Sequence, residues 1–318
     1  MTLYMSDQGH DCLDRSVEIL GLGNEALCRI PTDDQYKIRV DLLKDAIEKD
    51  RADGCHPFCV IGNAGTVNTG AFDDFNALAD LAEKEKMWFH VDGAFGAWVK
   101  ISKTHRHLAN GMERADSLAV DLHKWIDMPY GIGVTLTRHL REHYSTFVYG
   151  HEAEYLKAYN DLNLTPTTSN LGIRLSALAP LKPYLIFRAH GSEKYSRLVQ
   201  QNIDQINYFA DLVRNEPDME VCAPVESNIV CFRYRPSVSL HEGGYIANGT
   251  ARQMLGEVQT EALNKAILQE LWKFSFGVVS DTRIKGRYAL RVANVNHRSR
   301  REDFDWLIIE VKRLGKKL

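Results

Sequence analysis

Two charged side chains, Asp92 and Lys124, stand where two apolar segments of the chain end. The apolar run at residues 87–91 predicts a buried strand with Asp92 at its carboxyl end, and the run at 117–120 predicts a second strand shortly before Lys124. In an open α/β sheet, ligands bind beyond the carboxyl ends of the strands. A carboxylate and a lysine at that edge suit pyridoxal phosphate, which forms a Schiff base with a lysine while an Asp pairs with its protonated pyridine nitrogen.

The ordinary interpretation of such a pair is that the Asp caps a helix and the Lys is a solvated surface residue. Two features of the surrounding sequence favour the cofactor instead. Asp92 ends a hydrophobic strand and is followed by small residues that include Ala94, where a flat ligand could approach the backbone closely. Lys124 lies between His123 and Trp125, just after the second predicted strand.

The motifs at these positions resemble those of a known family. They are, in order, His90-Val91-Asp92-Gly93-Ala94, Ala115-Asp116-Ser117 and His123-Lys124-Trp125. In these motifs, and more weakly along its whole length, the chain resembles the pyridoxal-phosphate-dependent group II amino acid decarboxylases, which include the aromatic-L-amino-acid, glutamate and histidine decarboxylases. The resemblance implies decarboxylation of an L-amino acid to the amine and CO2, by a cytoplasmic homodimer with its sites at the subunit interface.

The resemblance also implies a role for individual residues. Lys124 forms the Schiff base, Asp92 pairs with the pyridine nitrogen, and the other cofactor-binding positions are His10, which stacks on the ring, Thr66, Ala94, His123 and Asp121. Tyr155 protonates the intermediate after CO2 leaves, and Arg174 pairs with the substrate carboxylate through a planar two-point contact. Without the family, His10 and Tyr155 are loop residues, Thr66 is as readily a turn residue without a ligand, and Arg174 is equally a helix-start arginine in an ion pair.

The implied fold is α/β, of the aspartate-aminotransferase type (fold type I), with a mostly parallel sheet that has helices on both faces. Strand and helix patterns that alternate with short connections favour the same sheet. We expect a large pyridoxal-phosphate-binding domain at residues 1–190, incomplete at its N-terminus, and a small α+β domain at 191–318. A mainly helical stretch from 176 to 215 surrounds this boundary, and a further helix is predicted at 252–274.

The sequence departs from the family in two places. In the family, a long N-terminal segment precedes the residues that match the start of this chain. We therefore expect the chain to be the C-terminal two-thirds of such an enzyme, either as a fragment or with a partner that supplies the rest. Without that segment we expect weak binding of the phosphate group. In addition, Asp121-Leu122-His123-Lys124 replaces the common Asn-Pro-His-Lys. A carboxylate therefore stands where an amide often contacts the phosphate.

Composition excludes several other classes of protein. Hydrophobic residues make up 44% of the 318 residues and charged residues 25%, as in an ordinary globular protein. The net charge of −3 gives no general attraction to nucleic acid or anionic membranes, and no apolar run is long enough to span a bilayer. The six cysteines form no CxxC pair, so we expect reduced thiols and no metal site. Gly21-Leu22-Gly23 lacks the third glycine of a dinucleotide fingerprint and follows a helix, which disfavours a nicotinamide dehydrogenase.

Two alternatives to the decarboxylase remain open at the level of sequence. The same cofactor pocket could serve a carbon–carbon lyase or an aldehyde-forming relative. A different class of answer is a non-catalytic remnant that dimerises with a complete homologue.

Overall fold

The structure is a computed structural model that describes residues 1–147, 180–239, 252–273 and 279–318. The strands of the first sheet are β1 (Thr2–Ser6), β2 (Leu27–Ile30), β3 (Pro57–Asn63), β4 (Trp88–Asp92), β5 (Ser117–Asp121) and β6 (Gly133–Thr137). The helices that accompany them are α1 (Cys12–Ile19), α2 (Val40–Ala52), α3 (Phe75–Glu85) and α4 (Leu140–Phe147). The strands predicted at 87–91 and 117–120 are confirmed as β4 and β5, with ends that differ by one residue.

The first sheet has the strand order β2-β1-β3-β4-β5-β6. The first five strands are parallel, and β6 returns antiparallel beside β5. The strands β4 and β5, which end at Asp92 and Asp121, are therefore neighbours, and their carboxyl ends lie at the same edge. This confirms the prediction of a mostly parallel sheet.

Apolar side chains on both faces of this sheet are buried, as a parallel sheet requires. Within β1, Leu3 and Met5 belong to one apolar cluster together with Val17 of α1, whereas Tyr4 belongs to another, which includes Leu43 of α2 and Leu78 of α3. The alternation within one strand shows that α1 covers one face and that α2 and α3 cover the other.

The helix α3 illustrates how the sequence sets the entry into β4. The side chain of Asp74 caps the helix by accepting a hydrogen bond from the amide of Ala77 at 3.1 Å. Lys86 ends the helix in the left-handed conformation. Between these ends an apolar face of the helix packs on the sheet. The strand that follows, β4, then pairs in parallel with β3.

The second half of the chain forms a smaller antiparallel sheet. Its strands are β7 (Met219–Val221), β8 (Ile229–Tyr234), β11 (Ser280–Ile284) and β12 (Arg287–Ala293), in the order β11-β12-β8-β7; β9 (Ser237–Ser239) and β10 (Arg252–Met254) form a separate pair. Its helices are α5 (Leu181–Asn215), α6 (Glu257–Lys273) and α7 (Arg301–Lys317). The predicted helix at 252–274 is wrong at its start, because residues 252–254 pair with β9 as a strand.

The long helix α5 connects the two sheets. Val199 and Ile203 pack in the core of the first sheet, whereas Ile206 and Phe209, less than two turns further on, pack in the core of the second. Gly191, with φ of 71°, interrupts the helical backbone near its start. The division into domains at residues 190 and 191 stays a prediction.

Across the described ranges, no helix is both long and apolar enough to cross a membrane.

Candidate active site

Asp92 occupies the carboxyl end of β4, between β3 and β5. Its carboxylate is half-buried, and Oδ1 accepts a hydrogen bond from the amide of Ala94 at 3.1 Å. The carbonyl of Ala94 in turn accepts from the amide of Asp121 at 3.3 Å. Ala94 therefore connects the ends of β4 and β5 through its backbone, and the two predicted cofactor-binding positions lie at one edge of the sheet.

The register of the two strands is fixed further back along the sheet. His90 lies opposite Ser117, and its Nδ1 is 2.7 Å from the hydroxyl of that serine, which also accepts from Trp88 Nε1 at 2.8 Å. Burial of the imidazole lowers the pKa of His90. A neutral imidazole suits this hydrogen bond to a serine hydroxyl within the sheet. The carboxylate of Asp92, at the end of the strand, takes no part in it.

Lys124 lies three residues beyond Asp121, in the turn that joins β5 to β6. Its Nζ is 2.8 Å from Oδ2 of Asp121, and about two fifths of the side chain is exposed (39%). The carbonyl of Asp121 accepts from the indole Nε1 of Trp98 at 2.9 Å, which fixes the point where the strand ends. The amine is therefore reachable from solvent while it is held beside a carboxylate.

His123 is placed beside Lys124 but is oriented by the far end of the turn. Its Nδ1 lies 2.9 Å from the carbonyl of Ile132, and its ring meets that of Tyr130 edge-on with centroids 4.8 Å apart. Its Nε2 is 3.9 Å from Oδ2 of Asp121. A histidine held in this way presents a fixed ring face at the same edge of the sheet.

His10 follows the carboxyl end of β1, and the helix α1 that begins two residues later brings Cys12 toward the same edge. Nδ1 of His10 accepts from the amide of Cys12 at 3.0 Å. Burial of the thiol and the nearby carboxylate of Asp92 raise the pKa of Cys12, whereas Lys124 lowers it. The start of α1 follows the carboxyl end of β1, which lies at the same edge of the parallel sheet as the carboxyl ends of β4 and β5.

Thr66 lies in a turn and uses its hydroxyl there. Its Oγ1 is 2.9 Å from Oγ1 of Thr69 and accepts from the amide of Ala71 at 3.1 Å, and the residue is 1% exposed. These contacts account for the hydroxyl within its own turn. Its predicted contact with a cofactor stays a prediction.

Two of the predicted site residues, Tyr155 and Arg174, lie outside the described residues. Trp98 and Asn202 were not found from the sequence, although they touch site residues or their neighbours. Trp98 bonds to Asp121, and Asn202 accepts from the indole of Trp125 at 3.1 Å. Neither residue belongs to a motif, so only the fold reveals these contacts.

Two side chains at this edge fit the two reactive ends of pyridoxal phosphate. A half-buried carboxylate at the end of β4 suits the protonated ring nitrogen, and a lysine amine beyond the neighbouring strand suits the aldehyde. Asp121, in contrast, offers the phosphate group a negative charge and no hydrogen-bond donor when it is ionised. Asp92 and Lys124 therefore fit the cofactor, while its phosphate requires donors other than Asp121.

Comparison with known proteins agrees with this geometry. Residues 1–235 match the family model described as the pyridoxal-dependent decarboxylase conserved domain. The chain therefore belongs to the pyridoxal-dependent decarboxylase family, and the resemblance drawn from the motifs is confirmed.

Two relatives show how much of a family member this chain represents. The aromatic-L-amino-acid decarboxylase of Bacillus atrophaeus is 32% identical over 318 residues, which are 99% of this chain and 63% of that protein. The aspartate 1-decarboxylase of Aliivibrio fischeri is 32% identical over 237 residues, which are 74% of this chain and 42% of that protein. The chain thus spans less than two thirds of the length of these relatives.

Among solved structures, that of Oryza sativa TDC with PLP and tryptamine matches with a TM-score of 0.87. The sequences are 24% identical, and the match covers 99% of this chain and 62% of that one. Likeness at this identity establishes the fold, and it confirms the predicted fold class.

Proposed function

We propose that this chain carries the cofactor-binding part of a pyridoxal-phosphate-dependent decarboxylase, which converts an L-amino acid to the amine and CO2. The observation that carries the proposal is the placement of Asp92 at the carboxyl end of β4 and of Lys124 just beyond the carboxyl end of the neighbouring strand β5. Membership of the family supports it, and the names of the two relatives, one aromatic and one aspartate decarboxylase, support an amino acid as the substrate.

When bound, pyridoxal phosphate supplies a cationic ring that accepts the electron pair left when a bond to the substrate α-carbon breaks. Asp92 would keep a proton on the ring nitrogen, since a neighbouring carboxylate favours the charged form of a base. Lys124 would hold the cofactor through its amine. His10, Thr66, Ala94, His123 and Asp121 are the further residues proposed to line the cofactor.

The reaction breaks the bond between the α-carbon and the carboxylate, so CO2 leaves without the bonding electron pair and a proton must then reach the α-carbon. We assign that proton to the hydroxyl of Tyr155, and the binding of the substrate carboxylate to the guanidinium of Arg174. Both assignments are supported by the resemblance of their sequence segments to the family.

The first test is an absorbance spectrum of the purified protein with added pyridoxal phosphate, beside the variant Lys124→Ala. We expect a visible band that borohydride removes in the parent protein and that is absent from the variant. A mass increase on the peptide that contains Lys124 after borohydride treatment would identify the linked amine. Absence of the band from both proteins would contradict cofactor binding by this chain.

Product analysis then separates decarboxylation from its alternative. With an L-amino acid as substrate, a decarboxylase releases one CO2 and one amine. An aldehyde-forming relative consumes one O2 and one water and releases CO2, ammonia, hydrogen peroxide and an aldehyde, so an oxygen electrode distinguishes the two. Release of aldehyde in place of amine would contradict the proposed outcome.

We also propose a homodimer with its sites at the subunit interface, a cytoplasmic location, and the division into domains at residues 190 and 191. The six cysteines are all free thiols, which supports a reducing compartment. The molar mass in solution, measured by light scattering with and without cofactor, tests the dimer. A protein that stays a monomer with bound cofactor would contradict it.

A further inference from the structure

The turn that carries Lys124 is held by the second half of the chain as well as by its own sheet. The strand β5 ends at Asp121 and β6 begins at Gly133, so Lys124 belongs to no strand. Two side chains that follow it, Trp125 and Asp127, bond to residues 77 and 170 positions further along the chain. The placement of the amine therefore depends on parts of the molecule outside the motif.

The first connection is a buried amide. Trp125 is 2% exposed, and its indole Nε1 donates to Oδ1 of Asn202, which lies on α5 and is 1% exposed. Nδ2 of Asn202 donates to the carbonyl of Asn296 at 3.2 Å, in the segment that follows β12. One buried side chain thus joins the residue next to Lys124 to the second half of the chain. Removing either bond leaves a buried polar group without its partner, which is the costly case.

The connection continues to the ends of β12 and β8, the two inner strands of the second sheet. Asn294 donates through Nδ2 to Oε1 of Gln205 at 2.7 Å and to the carbonyl of Asn202 at 3.4 Å. Asn228, just before β8, donates to the carbonyl of Asn294 at 2.9 Å. All four amide side chains are buried. Through these bonds they connect Asn202 to the residues beside β8 and β12.

The second connection lies at the surface of the same turn. Asp127 has φ of 54°, the left-handed conformation that non-glycine residues adopt rarely and that Asp tolerates better than most. Its Oδ2 is 2.8 Å from Nδ1 of His297, and the carbonyl of His297 accepts from Gln201 on α5 at 3.4 Å. The unusual backbone of the turn is thereby fixed by the same segment that Asn202 contacts.

We propose that Asn202 and Asp127 are positioning residues for Lys124. Through Trp125 and His297 they fix the turn at residues 122–132 against the second half of the chain, and so set where the amine lies. The inference rests on the proposed function only in that the amine is expected to hold pyridoxal phosphate. The placement of the amine can itself be measured without any cofactor.

The test compares two buried asparagines that are matched in burial and in bonding. Asn264 on α6 is 0% exposed and bonds to the backbone of Tyr234 and Thr260, away from the Lys124 turn. Asn202→Leu and Asn264→Leu therefore both remove a buried amide, but only the first removes a contact to the turn. Three quantities are measured in the full chain: hydrogen exchange of residues 122–132, acetylation of Lys124 by acetic anhydride, and the rate at which pyridoxal phosphate becomes borohydride-trappable on Lys124.

Asn202→Leu is expected to accelerate exchange in the turn and to change the acetylation and trapping rates by about tenfold, the order expected for one buried hydrogen bond. Asn264→Leu is expected to leave all three at the parent values. Equal effects of the two variants on all three quantities would overturn the proposal, because they would show a general loss of stability. If the parent protein traps no pyridoxal phosphate but the exchange and acetylation still differ, the positioning role stands and the proposed function fails.

A second pair of variants tests the proposal independently, in case Asn202→Leu does not fold. Asp127→Gly keeps the left-handed backbone accessible and removes the carboxylate, while Asp127→Asn keeps an acceptor for His297. We expect Asp127→Gly to raise exchange in the turn and change the acetylation of Lys124 about threefold, and Asp127→Asn to restore most of the parent behaviour. Parent values in Asp127→Gly would contradict the role of Asp127.

Discussion

The ammonium of Lys124 lies 2.8 Å from the carboxylate of Asp121, which ends the strand β5. An amine that is to bind an aldehyde must leave this ion pair and lose its proton first. The pair is partly exposed, and such pairs are worth about 1 kcal/mol or less. We therefore expect Asp121 to slow the attachment of pyridoxal phosphate to Lys124 without preventing it.

Asp121→Asn is expected to increase the rate of that attachment up to about fivefold at neutral pH, because the amide forms no ion pair that the amine must leave. The growth of the visible band after addition of pyridoxal phosphate measures the rate. Lys124→Arg is the control, since it preserves the charge of the pair but has no amine that attaches the cofactor in this way. A rate in Asp121→Asn equal to or below that of the parent would show that the ion pair does not restrain the amine.

Asp92→Asn is expected to reduce decarboxylation on the order of a hundredfold while the cofactor still attaches to Lys124. The amide keeps an acceptor for Ala94 but cannot stabilise a protonated ring nitrogen as a carboxylate does. Initial rates of CO2 release, beside the visible spectrum, measure the two effects separately.

Asp116→Asn is the matched control, because Asp116 stands before β5 at the opposite edge of the same sheet. Its carboxylate accepts from the amide of Phe89 and contacts His139. This substitution is expected to lower the melting temperature while the rate per bound cofactor stays near that of the parent. Equal loss of rate in both variants would remove the special role of Asp92.

The sequence predicted the edge at which the site lies but not the contacts that hold it. Asp92 and Lys124 are detectable because each follows a short apolar run, and such runs predict buried strands. The parallel order of β3, β4 and β5 then follows from the alternation of strands and helices. Asn202 and His297 contact the Lys124 turn from 77 and 170 positions away, and their own neighbourhoods look like ordinary helix and loop. No local pattern encodes such a contact.

The segment from Gly65 to Asp73 shows a second limit of inference from motifs. Its resemblance to the family suggested that Thr66 lies near the cofactor. In the structure Thr66 bonds within its own turn, Gly70 packs on Ser227, and Asp73 is buried. The residues of this motif therefore make structural contacts of their own, and residue identity alone does not separate such contacts from ligand binding.

Asp73 makes stability depend on pH in the weakly acidic range. Burial raises the pKa of its carboxyl to about 6, although the amides of Ile38 and Asn63 donate to it and oppose the shift. The folded protein therefore binds a proton on this group between pH 4 and 6 that the unfolded chain has lost. The contribution of Asp73 to the free energy of unfolding falls as pH rises through this window, by about 3 kcal/mol at most, and is constant above it.

Urea unfolding of the parent protein and of Asp73→Asn at several pH values between 4 and 7 measures this effect. The variant is expected to be less stable at every pH, since its NH2 group replaces one carboxylate oxygen and leaves one of the two buried amides without an acceptor, and to show a weaker fall in stability between pH 4 and 6. Parallel pH profiles for the two proteins would show that Asp73 does not titrate in this range.

Gly70→Ala is expected to destabilise the protein by about 2–3 kcal/mol. Gly70 has φ of 75°, and an added Cβ would lie 2.7 Å from the hydroxyl of Ser227 and 3.3 Å from Ile229, at a contact between the two halves of the chain. Strain at a left-handed backbone costs about 1–2 kcal/mol, and the close contact adds to it.

Gly54→Ala is the control, because Gly54 has φ of 80° and no atom within 4 Å of its added Cβ, so it carries the backbone strain alone. In a double-mutant cycle, Ser227→Ala should restore part of the stability lost in Gly70→Ala. Thermal unfolding that shows equal losses for Gly70→Ala and Gly54→Ala, with no restoration, would mean that the contact with Ser227 relaxes at no cost.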